Sequence, residues 1–380
     1  MFGLYVHIPF CARRCPYCDF AIHVGARPLL VADYLAALKR ELETVLREHN
    51  ESDGRPLSSI FFGGGTPSLL QACELNELLA LIFGCASVEE NLEISLESNP
   101  EHLDEAKLAE LRRGGWNRLS MGAQSFDDEA LKRIGRVHRA ADIEAAFRAG
   151  RRAGFENISL DLMYALPGQS RERWRETLQR AVALEAEHIS CYSLTIEPGT
   201  HFARRAERGD LIPLEDDAQS ELMLDAVEIA ASDGIERYEV SNYARPGYEC
   251  RHNLNYWRGG DYLAAGNGAH GHLNGHRWWN ERDTKKYVEL MQTTGSARAG
   301  DERLQSPERW NEIMMLGLRL REGFSPDEAA RRLGFDARPG LQNALHDLKS
   351  RGVLVENSGV LSVPPRSLAL ADAVAAKLIL

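Results

Sequence analysis

The sequence predicts an α/β protein in which a parallel sheet curls with its helices on the outside, followed by a small, mostly helical domain. Three observations predict it. Short apolar runs alternate with stretches of helical periodicity six times between residues 3 and 193, the pattern of successive βα units. Cysteine, glycine and carboxylate motifs fall just after those runs, at what become the carboxyl ends of parallel strands. From about Arg303 the pattern changes to capped apolar helices and a hairpin.

Gly3 to Ile8 reads as the first strand. Leu29 to Arg47 reads as the first helix, because Val31, Tyr34, Leu35 and Leu38 recur at helical spacing. Five further strands are predicted at Ser59 to Phe62, Leu92 to Leu96, Arg118 to Gly122, Ile158 to Met163 and His188 to Ser193, separated by helices such as Glu105 to Arg113, Ala140 to Ala153 and Arg171 to Leu184. Later, Ser306-Pro307 opens a helix with proline at its start, continued by Trp310, Ile313, Met314, Leu316, Leu318 and Leu320. Ser325 to Glu328 reads as a capping box for a second helix that ends at Gly334. Gln342 to Arg351 reads as a third, and Val353 to Val355 with Val360 to Val363 as a hairpin around Asn357-Ser358-Gly359. Three helices and a hairpin look like a winged-helix module, with a last apolar helix after Pro364-Pro365. The expected divisions are 1–210 for the curled sheet, 211–302 for an extension and 303–380 for the winged-helix-like domain.

A chain of 380 residues suffices for a large core plus an appendage. With 45 basic and 56 acidic side chains it carries a net charge of −11, spread without long acidic runs, which argues against a general nucleic-acid binder. From Ser325 to Leu380 there are seven basic and six acidic residues, so the winged-helix-like part lacks a basic footprint and is assigned to protein contact or to a lid. Seven cysteines, an odd number, suit a reducing cytosol. Neither a basic-then-apolar leader nor an 18-residue apolar span is visible. The expectation is a cytoplasmic protein, with peripheral membrane contact left open.

The chemistry is densest in Tyr5 to Phe20, YVHIPFCARRCPYCDF, where Cys11, Cys15 and Cys18 stand in a C-x3-C-x2-C spacing. Three thiolates from one loop can hold three irons of a [4Fe-4S] cubane and leave the fourth iron open. A structural zinc site would be closed by four ligands, and no second Cys-x2-Cys pair follows. His7 is a conceivable fourth ligand; inside the strand it reads better as a histidine ordered by local hydrogen bonds. Cys73, Cys85, Cys191 and Cys250 are scattered and read as buried apolar residues.

The cysteine spacing resembles the radical S-adenosylmethionine (SAM) superfamily. HIPFC and CPYCDF are similar to its coproporphyrinogen-oxidase-like branch and, within that, to the HemW family of haem chaperones. The resemblance implies a partial (β/α)6 TIM-type barrel and a SAM molecule that chelates the open iron through its amino and carboxylate groups. An electron from the reduced cluster then cleaves SAM to a 5′-deoxyadenosyl radical. Coproporphyrinogen III dehydrogenases of this branch carry another cysteine two residues beyond the third, where this chain has Phe20.

By the same resemblance, Gly64, Gly65 and Thr66 in GGGTPS contact the SAM amino group, and Glu97, Gln124 and Arg136 bind SAM. Asp161 takes the ribose, and Tyr5 and Tyr17 wall the pocket. The residue types suit those tasks. Consecutive glycines let backbone approach a ligand, a guanidinium grips a carboxylate with two bonds, and a carboxylate in an apolar strand needs hydrogen bonds.

A second constellation, Arg251-His252-Asn253-Leu254-Asn255-Tyr256-Trp257, reads H-N-x-x-Y-W and resembles the HemW haem-binding motif. That implies His252 as an axial iron ligand, with Tyr256 and Trp257 as a flat apolar wall. The alternative is an aromatic cluster that packs the extension against the barrel. In the run from Tyr262 to Asn280, His270, His272 and His276 are conceivable ligands without a recognisable spacing, and Cys250 a conceivable thiolate. The expected function is a haem chaperone that binds haem, a [4Fe-4S] cluster and SAM and hands haem to apo-haemoproteins. Expected partners include an electron donor or haem donor protein, and a homodimer is possible. Two alternatives stay open: a coproporphyrinogen III dehydrogenase, whose radical abstracts hydrogen from propionate side chains, and a radical SAM enzyme acting on another substrate.

Overall fold

Six parallel strands form the centre of the molecule, and the computed structural model describes all of residues 1–380. They are β1 (Gly3–Ile8), β2 (Leu57–Gly64), β3 (Val88–Ser98), β4 (Arg118–Gln124), β5 (Ile158–Tyr164) and β6 (His188–Ser193). They lie side by side in chain order, as right-handed βα crossovers dictate. Both faces are covered, so residues on either side of the pleat are buried, as in GLYVHI and ISLDLMY.

The sheet is wider than the sequence predicts. Beyond β6 it continues antiparallel through β7 (Glu236–Arg237) and β8 (Asn242–Ala244), in the order β6, β8, β7. On the other side β9 (Tyr262–Ala265) pairs parallel with β1, followed antiparallel by β10 (His270–Leu273), β11 (His276–Asn280) and β12 (Arg298–Arg303). Residues 211–302 therefore add strands to both edges of a twelve-stranded sheet. The run from Tyr262 to Asn280, read as a glycine- and histidine-rich loop, is mostly strand.

The first helix spans Pro28–Ser52, longer than predicted at both ends. Glu41 lies buried on it and is satisfied by the Tyr287 hydroxyl (2.6 Å), Asn280 Nδ2 (2.6 Å) and the Gly266 amide (2.7 Å), which ties the added strands to the barrel. A separate core around Trp310, Met314, Leu348, Leu361 and Val374 organises the C-terminal part. There Ser325 caps Pro326–Leu333 by accepting from the Glu328 amide (3.3 Å), but the reciprocal bond of a capping box is not made. Gly334 closes that helix in the left-handed conformation (φ 61°). The third helix begins at Arg338, four residues before the predicted start. Cys191 and Cys250 are buried, Cys85 is half-buried, and Cys73 is exposed on the first turn of Ala72–Cys85, contrary to its reading as a core residue.

Candidate functional site

The carboxyl ends of β1 to β6 surround one cavity of about 810 Å³. Its wall includes Cys11, Cys15, Cys18, Tyr5, Tyr17, Gly64, Gly65, Thr66, Glu97, Gln124, Arg136, Asp161, His252 and Tyr256. Of the residues assigned in the sequence to cluster, SAM or haem, Trp257 alone is not on this wall.

The cysteine loop leaves β1 at Pro9 and returns through a short parallel pairing of Phe10–Cys11 with His23–Val24. Beneath it His7 is 5% exposed; it accepts from the Tyr5 hydroxyl at Nδ1 (3.0 Å) and donates from Nε2 to the Ala21 carbonyl (2.9 Å). Burial lowers its pKa to about 4. With both nitrogens bonded, His7 is held in place as an ordering residue beneath the loop. The three thiols are half-buried; burial raises Cys11 to about 11 and moves Cys18 upward. No three His, Cys, Asp or Glu groups converge on a single-ion site. A cubane is gripped at its corners, so its thiolates stand farther apart than ligands around one ion.

Glycine is required at residues 64 and 65 for a reason the sequence did not display. A Cβ at Gly64, which holds φ +112°, would run into the His7 ring, and one at Gly65 would lie 2.6 Å from the Pro9 carbonyl oxygen. The Gly64 amide donates to Glu97 Oε2 (2.9 Å). Desolvation pushes Glu97 up to about 7, against the stabilising amide bond. Asp161 sits on β5 among hydroxyls: Ser120 Oγ donates to both oxygens (3.1 and 2.9 Å) and Ser159 Oγ to Oδ1 (3.0 Å). Burial still moves its pKa upward. Its backbone position is what the sequence suggested; the serines that hold it were missed, although all lie at inward, alternate positions of their strands.

Arg136 reaches over the cavity from the turn after Asp128–Arg133, the short helix that follows β4. Its Nη2 donates to Asn99 Oδ1 (2.5 Å) and the Gly122 carbonyl (2.9 Å), and Nη1 lies 3.8 Å from Cys15 Sγ. Its Nε is buried without a partner. Asn99 passes the contact on, donating to Thr66 Oγ1 (3.3 Å), which lies 3.6 Å from Cys11 Sγ. Two of the three thiols are thus joined to the carboxyl ends of β2, β3 and β4. Gln124 ends β4 at φ +64°, strained for a non-glycine residue, and faces the same space. Three thiols on one loop, an underemployed guanidinium and raised carboxyls fit a cluster together with a small zwitterion bearing ribose hydroxyls. Phe20, in the place of the further cysteine, is 66% exposed at the cavity mouth.

The H-N-x-x-Y-W stretch is a helix, Arg251–Trp257. Its N-terminus rests on Glu93, whose carboxylate accepts from the amides of Arg251 (3.0 Å) and His252 (3.1 Å). His252 is 1% exposed. Its Nδ1 is hydrogen-bonded to Ser59 Oγ (2.9 Å) and its Nε2 to the Tyr256 hydroxyl (2.8 Å). Desolvation and the nearby Arg118 lower its pKa to about 3, so the ring is neutral. The wall expected of Tyr256 and Trp257 is divided. Tyr256, one turn on from His252, faces the cavity; Trp257 turns toward the C-terminal domain, where the Arg319 guanidinium lies 5.4 Å above its ring. Cys250 is buried against Glu93 (3.6 Å) and does not reach the cavity. His270 stacks on Trp279, His272 bonds the Gly260 carbonyl (3.2 Å) and His276 pairs with Asp301 (2.8 Å), so these three form no common site.

The Radical SAM superfamily profile matches residues 5–181 and the HemN C-terminal domain profile residues 304–370. The chain is 38% identical to the haem chaperone HemW of Bacillus subtilis, over 94% of this chain and 93% of that protein. It is 37% identical to HemW of Mycobacterium tuberculosis, over 98% and 93%. The solved structure of coproporphyrinogen III oxidase (HemN) of Escherichia coli, a radical SAM enzyme, superposes with a TM-score of 0.85, covering 100% of this chain and 90% of that one at 23% identity. At that identity the likeness concerns the fold.

Proposed function

The chain belongs to the HemW family of the radical SAM superfamily, and on that premise we propose that it is a haem chaperone: it binds haem, a [4Fe-4S] cluster and SAM and passes haem to apo-haemoproteins. One observation carries the site. The thiols, the SAM-suited carboxyls and the face of the Arg251–Trp257 helix that bears His252 and Tyr256 all open on one cavity. In this reading Cys11, Cys15 and Cys18 hold the cluster, which supplies one-electron chemistry at its open iron when bound. Arg136 draws a carboxylate toward that iron, the Gly64–Thr66 turn and Glu97 receive an amino group, Gln124 with Tyr5 and Tyr17 closes the walls, and Asp161 accepts from ribose hydroxyls. His252 serves haem iron only after one of its nitrogens has left its present partner. Trp257 then supports the helix from behind and does not touch porphyrin.

Charge supports a protein partner at the cluster loop. Arg13, Arg14, Arg133 and Arg204 are exposed and Arg205 is half-buried around a hollow of about 470 Å³ beside Cys15 and Cys18. None is paired with a carboxylate, in a chain whose net charge is −11. This cationic rim suits an acidic electron donor or haem donor protein. No helix is long and apolar enough to cross a membrane, and a cytoplasmic setting agrees with unpaired cysteines throughout.

The test is a pair of anaerobic assays on the reconstituted chain. Haem titration is expected to give a Soret band that shifts in His252→Ala, while coproporphyrinogen III with SAM and reductant yields protoporphyrinogen only at background. Conversion of that substrate contradicts the reading.

A further inference from the structure

Below Asp161 the cavity ends on a guanidinium that the protein leaves without a partner. Arg118 begins β4, and Ser120, Gly122 and Gln124 follow it along the same wall toward the cysteine loop. It is 2% exposed, yet its side chain makes no hydrogen bond and no ion pair, and Nε is buried with nothing to accept from it. The adjacent Ser95, its register neighbour on β3, carries a second buried polar group without a partner. Glu93 and Asp161 act on it through charge alone, since Glu93 accepts from the amides of Arg251 and His252, and Asp161 from Ser120 and Ser159. Buried donors left without an acceptor are unfavourable. An arginine aimed into a cavity in this state calls for an anion from the ligand.

The same end of the cavity supplies the shape. Tyr5, Phe61 and His252 form a stacked group of nearly parallel rings, with Phe61 and His252 5.1 Å apart at 21° and Tyr5 and Phe61 6.3 Å apart at 22°. Apolar rings beside a fixed cation suit a largely apolar ligand with a carboxylate on a short arm. SAM held at the cysteine loop would use its only carboxylate at the opposite end. We propose that Arg118 is a carboxylate site that receives a propionate of a porphyrin held at the His252 end of the cavity. This rests on the haem reading above.

Metal-free protoporphyrin IX tests the site without iron ligation, against its dimethyl ester, which has the same ring and no free carboxylate. Fluorescence titrations of the reconstituted full-length chain are expected to show the diacid binding about tenfold or more tighter than the ester. Arg118→Gln should reduce the diacid to the ester's affinity and leave the ester unchanged. Arg118→Lys keeps the charge and should keep part of the discrimination, which provides a reading if the Gln variant does not fold. Equal affinities in the parent, or a loss in Arg118→Gln shared by both porphyrins, overturns the assignment. If haem still binds the parent under those results, the chaperone reading stands and this site alone falls; if neither haem nor porphyrin binds, both fall.

Discussion

Freeing His252 from Tyr256 is expected to strengthen haem binding. The imidazole is saturated, with Nδ1 2.9 Å from Ser59 Oγ and Nε2 2.8 Å from the Tyr256 hydroxyl, so iron must displace one of the two. The Tyr256 hydroxyl projects from the cavity side and is the competitor. A bond of this kind contributes about 0.5–1.5 kcal/mol net. At about 1.4 kcal/mol per factor of ten, Tyr256→Phe should raise haem affinity about two- to tenfold while keeping the edge-to-face ring contact, whose centroids are 4.8 Å apart. The assay is an anaerobic haem titration read at the Soret band, with His252→Ala and the double variant completing the cycle. The gain should vanish in the His252→Ala background. A tenfold loss in Tyr256→Phe, or a gain that survives removal of His252, refutes the reasoning and points to the phenol or to another ligand.

Replacing Cys11, Cys15 and Cys18 together by serine should take iron after reconstitution from about four atoms per chain to near zero; an unchanged iron content would show that the cluster lies elsewhere. Arg136→Lys should weaken SAM binding several-fold, because a point charge cannot span Asn99, Gly122 and a ligand carboxylate at once, and equilibrium dialysis that shows no change in it or in Asp161→Ala would remove this pocket. Glu97 has its pKa raised from 4.5 to about 7, so the native state binds the extra proton and ligand-free stability falls as pH rises from about 4.5 through 7. The ceiling is about 3 kcal/mol, and contact with cavity water lowers it. Glu97→Gln should therefore match the parent in thermal unfolding near pH 4.5 and melt higher near pH 8; a difference that does not vary with pH would contradict this.

What the sequence displayed and what it hid have physical causes. The six barrel strands were legible because runs such as Ile158–Tyr164 are buried on both faces, which only a covered parallel sheet explains. Strands β9 to β12 were not, since Tyr262–Ala265 and His270–Leu273 are four residues each and are separated by Gly266 and Gly268, too short for a period to emerge. At the site, the cysteine loop and the carboxylates stood out by spacing and by place after a strand. The outward turn of Trp257 was legible in the sequence. On a helix Tyr256 lies about 40° from His252 and Trp257 about 140°, so the two aromatics could not share a wall with the imidazole. Arg118 gave no signal, because a basic residue at the start of a strand looks like a turn boundary. Only the third dimension shows that it is buried and unpaired.

Haem transfer is the most direct measurement. The chain, reconstituted and loaded with one equivalent of haem, is mixed anaerobically with an apo-haemoprotein, and the loss of its own Soret band is followed beside the recovery of the recipient's spectrum and activity. The account predicts transfer that is faster than from free haem at the same concentration and that slows when Cys11, Cys15 and Cys18 are serine. Recovery no faster than with free haem, or haem that stays on the chain, would contradict it.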